Sequence, residues 1–166
     1  MDITQKISGD ITKFTGDLCA RSSNDSTGKF TLELVGVTSL PGDPVSGDLA
    51  YIIVTNGATL KVDQDWTSGT NRVWDFGNGA RPTVCVEEGK TVTVLSSVMG
   101  TSGFEKTGNG TLILSGDLGG LSGTVKVSSG TLFLPRESRC KTFTVEVAEG
   151  ASVIYSHGPG FMLLVR

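Results

Sequence analysis

The chain is poor in the residues that chemistry most often uses. Its 166 residues include one His, three Cys and two Trp; aromatics make up 7% and charged residues 19%. A single His and scattered Cys leave little for a metal cage or a catalytic triad. Lys and Arg number 14 against 17 Asp and Glu, a net charge of -3 with no basic cluster, so no nucleic-acid partner is expected. No apolar run exceeds a few residues, which excludes a membrane-spanning helix and gives no membrane partner. Pro numbers only five, and the 23 Gly have no three-residue period, so collagen is excluded as well.

Cys19, Cys85 and Cys140 lack the paired spacing of a zinc or thioredoxin-type site, and their expected role is small apolar filler in a core. The opening Met1–Lys6 has no apolar stretch of the signal-peptide kind, whereas the last residues, 161–166, are mostly apolar. Both ends are expected to be cuts from a larger secreted or cell-surface protein, with residues 1–166 forming one domain.

What the chain does have is a repeat. Val54–Val62, Val86–Val94, Lys106–Leu114, Val127–Leu134 and Val147–Tyr155 each run through a Gly corner into a short strand of alternating apolar residues. Gly28–Leu34 is a weaker copy. Gly suits a corner that needs positive φ, and the alternation puts Leu60 with Val62, or Leu132 with Leu134, on one face. The repeat glycines stand at positions 28, 57, 89, 110, 130 and 150, which gives spacings of 29, 32, 21, 20 and 20. A period near 20 predicts an all-β parallel β-helix (β-solenoid) of about six or seven short coils, stacked about 4.8 Å apart. A hairpin-built β-sandwich is the alternative, but Asn-Gly recurring at an equivalent corner suits the solenoid better. No window has helical periodicity.

Val84–Val94, Gly103–Gly116 and Ser122–Leu134 carry a Lys-x-Gly-x-Gly-Thr-Leu core, a Ser-Gly turn and a Gly-Thr-Leu strand. This stretch resembles the passenger-associated repeat of bacterial autotransporters over about residues 83–134. The resemblance implies a right-handed parallel β-helix and secretion by a bacterium, and it implies no activity. The chain up to Ala80 departs from the pattern.

Against a period of about 20, the interval of 32 from Gly57 to Gly89 leaves an excess of about 12. This predicts an inserted Trp-bearing loop at 63–82, and the interval from Gly28 to Gly57 has a similar excess around Thr38–Asp48. Insertions in solenoids map to surface loops, often on the binding face. Both Trp lie in the first of these stretches. Sugar rings stack on indoles and take directional bonds from short polar groups. The expected ligand-binding set is therefore Trp66, Trp74, Asp63, Asp65, Asn71, Arg72, Asp75 and Asn78. The bland alternative puts both indoles in the core or over one end; Tyr51 and Tyr155 are read as packing residues.

Other chemistry is thin. Asp63-x-Asp65 lacks the Gly and Glu that a calcium loop would need at Ser68 and Trp74. Only a looser calcium site from Asp43, Asp48, Asp63 or Asp65 remains, so no metal or other cofactor is expected. His157 has no nucleophile beside it, and the adjacent Glu87 and Glu88 point to opposite faces of a strand. No catalytic residues are expected, and three function classes follow. The first is a non-catalytic carbohydrate-binding module for a plant-cell-wall polysaccharide, xylan as the best bet, serving a catalytic domain in the same chain. The second is a structural stalk or passenger segment of an autotransporter or adhesin. The third is a small β-helix polysaccharide lyase or hydrolase.

Overall fold

A computed structural model describes residues 1–9, 11, 14–23, 28–36, 49–136 and 142–156, and the backbone of 162–165. The described residues form strands joined by turns, without a helix, and wind into a parallel β-solenoid of about five turns. The expected architecture is present, with slightly fewer turns. The segment around Thr38–Asp48, including Asp43 and Asp48, and also Cys140 and His157, lie outside the described residues.

The strands fall into three sheets. The first stacks β1 (Ile3–Ser8), β3 (Phe30–Val35), β5 (Thr59–Val62), β8 (Thr83–Val86), β11 (Gly103–Thr107), β14 (Gly123–Val127) and β16 (Phe143–Val147). The second stacks β2 (Leu18–Arg21), β4 (Ala50–Thr55), β7 (Arg72–Asp75), β10 (Val98–Gly100) and β13 (Gly120–Leu121). The third runs from β6 (Trp66–Ser68) through β9 (Thr91–Val94), β12 (Thr111–Leu114) and β15 (Thr131–Leu134) to β17 (Ser152–Ser156). There β18 (Met162–Val165) turns back and pairs antiparallel with β17; every other pairing is parallel.

Alternation puts one side chain in two inside, and stacking then aligns those side chains in rows. One inward row of the first sheet reads Leu32, Leu60, Val84, Lys106, Val127, Val147. In the second, Leu18, Ile52, Trp74 and Val98 align, and in the third Trp66, Val92, Leu112, Leu132 and Val153. Outside, the first sheet carries Thr4, Thr31, Thr59, Thr83, Glu105, Lys126 and Glu146 in one row. Beside it, Lys6, Glu33, Lys61 and Cys85 align. Opposite charges face each other in both rows: Lys6–Glu33 at 2.9 Å, Lys61–Glu33 at 3.5 Å and Lys126–Glu105 at 3.2 Å. A one-residue slip would bury these charges and expose the core, so the pattern fixes register.

Two cysteines correct the sequence reading. Cys19 is exposed and Cys85 half-buried, because alternation turns their neighbours Leu18, Ala20, Val84 and Val86 inward instead.

Along the row from Thr4 to Glu146, the sequence step between successive strands of the first sheet is 27, 28, 24, 22, 21 and then 20. The coils therefore shorten toward the C-terminal end. The filling of the core changes along the axis: Trp66, Trp74, Phe76 and Phe104 fill the coils between Thr59 and Glu105, and Leu and Val, with Phe143 and Tyr155, fill the later ones.

Candidate functional site

Residues 63–82 are not an inserted loop. They contain β6 and β7 and complete an ordinary coil between β5 and β8. The apparent excess arose because the marker glycines belong to two different corners. Gly28 and Gly57 precede strands of the first sheet, whereas Gly89, Gly110, Gly130 and Gly150 precede strands of the third. The interval from Gly57 to Gly89 is thus a whole coil plus one further side.

Both tryptophans face the core. Trp74 is fully buried and Trp66 is 5% exposed, so neither ring offers a face to a sugar. They do not share one extended segment: Trp66 is on β6 and Trp74 on β7, and their rings meet at 5.4 Å between centroids. The stack continues through Phe76, 6.2 Å from Trp74 and edge-on, to Phe104, 4.5 Å from Phe76 and stacked. Trp74 Nε1 donates to Ser68 Oγ at 3.1 Å, while Trp66 Nε1 has no acceptor among the described residues.

Arg72 is also fully buried, because alternation directs it inward one step from Trp74. Its guanidinium donates to the carbonyls of Gly16, at 2.9 Å, and Phe14, at 3.2 Å. The three carboxylates of the expected set accept backbone hydrogen bonds. Asp63 takes the Gly36 N–H at 3.1 Å, Asp65 the Thr91 N–H at 2.7 Å and Asp75 the Gly77 N–H at 2.7 Å. The first two tie neighbouring coils together. Asn71 is half-buried and its carbonyl accepts from the Ala50 N–H. Of the eight residues, Asn78 lines an open groove among the described residues. The set that sequence reasoning assembled for a ligand is mostly internal bracing.

That groove has a volume of about 510 Å³ and runs over three stacked corners between the second and first sheets, lined by Arg21, Lys29, Asn56 and Asn78 among others. Asn56 is the one non-Gly residue with positive φ among the described residues. Asn tolerates this conformation better than most residues, and the side-chain Oδ1 lies where a Cβ on Gly79 would be. The recurring Asn-Gly pairs at 56–57 and 78–79 therefore do stack, whereas Asn109-Gly110 is at the other corner.

Lys106 is the residue that sequence reasoning missed. It occupies an inward position in an aliphatic row and is fully buried. Its Nζ donates to the carbonyls of Thr107 and Gly108, both at 2.8 Å, and of Ser129 in the next coil at 3.2 Å. Burial pushes the ammonium down from 10.5 to about 8. Gly130 makes room for this arrangement, since a Cβ there would lie 2.4 Å from the Gly108 and Gly110 carbonyls and 2.9 Å from Nζ. The signal was in the alternation: Phe104 and Lys106 are two apart in one strand and must share a side.

Among the described residues no three His, Cys, Asp or Glu side chains are grouped as a metal would require. The fold defines the chain as a parallel β-solenoid. No protein-family profile, curated protein or solved structure matches it.

Proposed function

We propose that this chain is a non-catalytic structural segment of a secreted or cell-surface bacterial repeat protein of the autotransporter-passenger or adhesin kind. Its contribution is a stiff spacer about 30 Å long, from seven stacked strands about 4.8 Å apart. The observation that carries this reading is the course of residues 59–86. The stretch that looked like a binding loop is a coil like its neighbours, with its aromatics inside. The resemblance over 83–134 points the same way. Affinity electrophoresis against soluble xylans, glucans, mannans and pectins tests it: no retardation is expected, and retardation on any of them overturns a purely structural role.

The second reading, a carbohydrate-binding module for a plant-cell-wall polysaccharide such as xylan, now rests on the groove. Polar groups there repeat from coil to coil along the axis, and Arg21, Asn56 and Asn78 offer hydrogen bonds that hydroxyls can take. If a glycan retards the protein, Asn78→Ala combined with Arg21→Ala should abolish the retardation. Retardation that survives this double change places any binding elsewhere.

A further inference from the structure

Asn-Gly occurs at 56–57, 78–79 and 109–110. The dipeptide is open to one spontaneous reaction, because Gly has no side chain to keep its nitrogen away from the Asn amide carbon. The fold does not treat the three pairs alike. The Gly57 N–H donates to the Ala80 carbonyl at 2.9 Å, and the Gly110 N–H donates to the Val86 carbonyl at 3.0 Å. Asn56 is held a second time, since its Nδ2 donates to the Ser22 carbonyl at 3.4 Å. Gly110 is also buried, and so closely packed that a Cβ there would lie 2.2 Å from the Glu87 carbonyl oxygen. At the remaining pair, the Gly79 N–H has no acceptor among the described residues, and Asn78, Gly79 and Ala80 are all exposed.

We propose that Asn78 is a site of spontaneous deamidation, and that the fold protects the other two pairs from it. Solvent hydroxide takes the proton of the Gly79 N–H, and the nitrogen attacks Asn78 Cγ. The new N–Cγ bond closes a succinimide as the Cγ–Nδ2 bond breaks and ammonia leaves with a proton from water. Water then adds at either ring carbonyl. Opening at Cγ gives an ordinary aspartate at 78; opening at the backbone carbonyl gives isoaspartate, with the chain now routed through Cγ. Water is the only co-reactant, and nothing is oxidised or reduced. Either product places a carboxylate in the groove that Arg21 and Lys29 line and, among the described residues, no Asp or Glu does. That positive lining favours the nitrogen anion before ring closure and the carboxylate after it. Isoaspartate also adds a methylene to the backbone just before Ala80, whose carbonyl ties this coil to Gly57. The inference adds a modification site to the structural role and does not rest on it.

The test is to hold the full chain folded in mildly alkaline buffer and to follow the three pairs by peptide mapping with mass spectrometry, beside the same chain unfolded in guanidinium chloride. With Gly after every Asn, the three should convert at similar rates when unfolded. In the folded chain Asn78 should convert within about threefold of its unfolded rate, while Asn56 and Asn109 slow by about tenfold or more, since each glycine must first give up a backbone hydrogen bond. Asn56 or Asn109 converting as fast as Asn78 in the folded chain overturns the proposal, and so does an Asn78 that slows as much as they do. Asn78→Gln, whose longer side chain closes the ring far more slowly, supplies a check on intact protein. The aged parent should gain a single more acidic species on anion exchange, and the variant should not. A variant that gains the same species at the parental rate overturns the assignment to Asn78.

Discussion

Lys106→Met replaces a buried ammonium with an unbranched side chain that fills similar space and takes no proton. At pH 7 two effects oppose each other. The lysine holds three carbonyl oxygens that Met leaves without that donor, but it also keeps a charge out of water. A pH series separates them. Because burial lowers the group from 10.5 to about 8, the unfolded chain binds a proton in that window that the folded chain does not. Stability contributed by Lys106 must therefore rise with pH between about 8 and 10.5, while below pH 8 the full penalty is present. At 1.36 kcal/mol per pH unit, a drop from 10.5 to about 8 corresponds to about 3 kcal/mol. The neutral amine still has two N–H groups for carbonyls, so bonding persists after the proton is lost. Urea unfolding followed by the fluorescence of the buried tryptophans, at pH 7 and near pH 10.5, measures the gap between parent and Lys106→Met. That gap should move in the parent's favour by about 3 kcal/mol, a midpoint change of about 1 M urea. Lys61, which its bond to Glu87 holds above the usual lysine value, is present in both proteins and cancels. A gap that stays constant within about 0.5 kcal/mol across the two pH values would refute the claim that this ammonium is held at the expense of its solvation.

Three further outcomes are expected. Trp74→Phe should destabilise by about 1–2 kcal/mol more than Trp66→Phe in urea unfolding, since it strands the Ser68 hydroxyl while the Trp66 N–H has no acceptor among the described residues; equal losses would contradict this. Gly130→Ala and Gly150→Ala both impose positive φ, of 71° and 81°, on a residue with a Cβ, but only the first also meets backbone oxygens at 2.4 Å. Gly150→Ala should cost about 1 kcal/mol and Gly130→Ala clearly more by the same measurement. Glu105 is held below the usual carboxylate range by the Ser128 hydroxyl and then by Lys126, and Glu33 by Lys6 and Lys61. Their contribution is present above the unfolded value of about 4.5 and lost as pH falls below it, so an acid titration of Glu105→Gln should fall less steeply than the parent's.

The solenoid was legible because its signals are local. A Gly corner followed by Thr-Leu-x-Leu states both a turn and which side chains go inside. What a corner glycine does not state is which corner it occupies, and the step from Gly57 to Gly89 changes corners. That one ambiguity created an insertion where a regular coil exists, and with it a binding surface for Trp66 and Trp74. The stacking partners that decide the matter are non-local: Trp74 lies between Ile52 and Val98, each a full coil away along the chain. Arg72 and Lys106 were misplaced or overlooked for a related reason. Charge argues for solvent, but position in the alternation argues for the core, and carbonyls at the corners make the second outcome tolerable.

The parallel stacking has a mechanical consequence. Pulled along its axis, such a rod yields from an end, one coil at a time. Each coil of about 20 residues that peels away releases about 68 Å of extended chain for about 4.8 Å of rod surrendered. A rod built this way is short and stiff under small loads and absorbs a large extension under high ones. Lys106, tied to carbonyls in its own coil and the next, is a rivet partway along the unwinding path. Peeling from the C-terminal end should pause there, with the coils that hold Trp66, Trp74, Phe76 and Phe104 still wound.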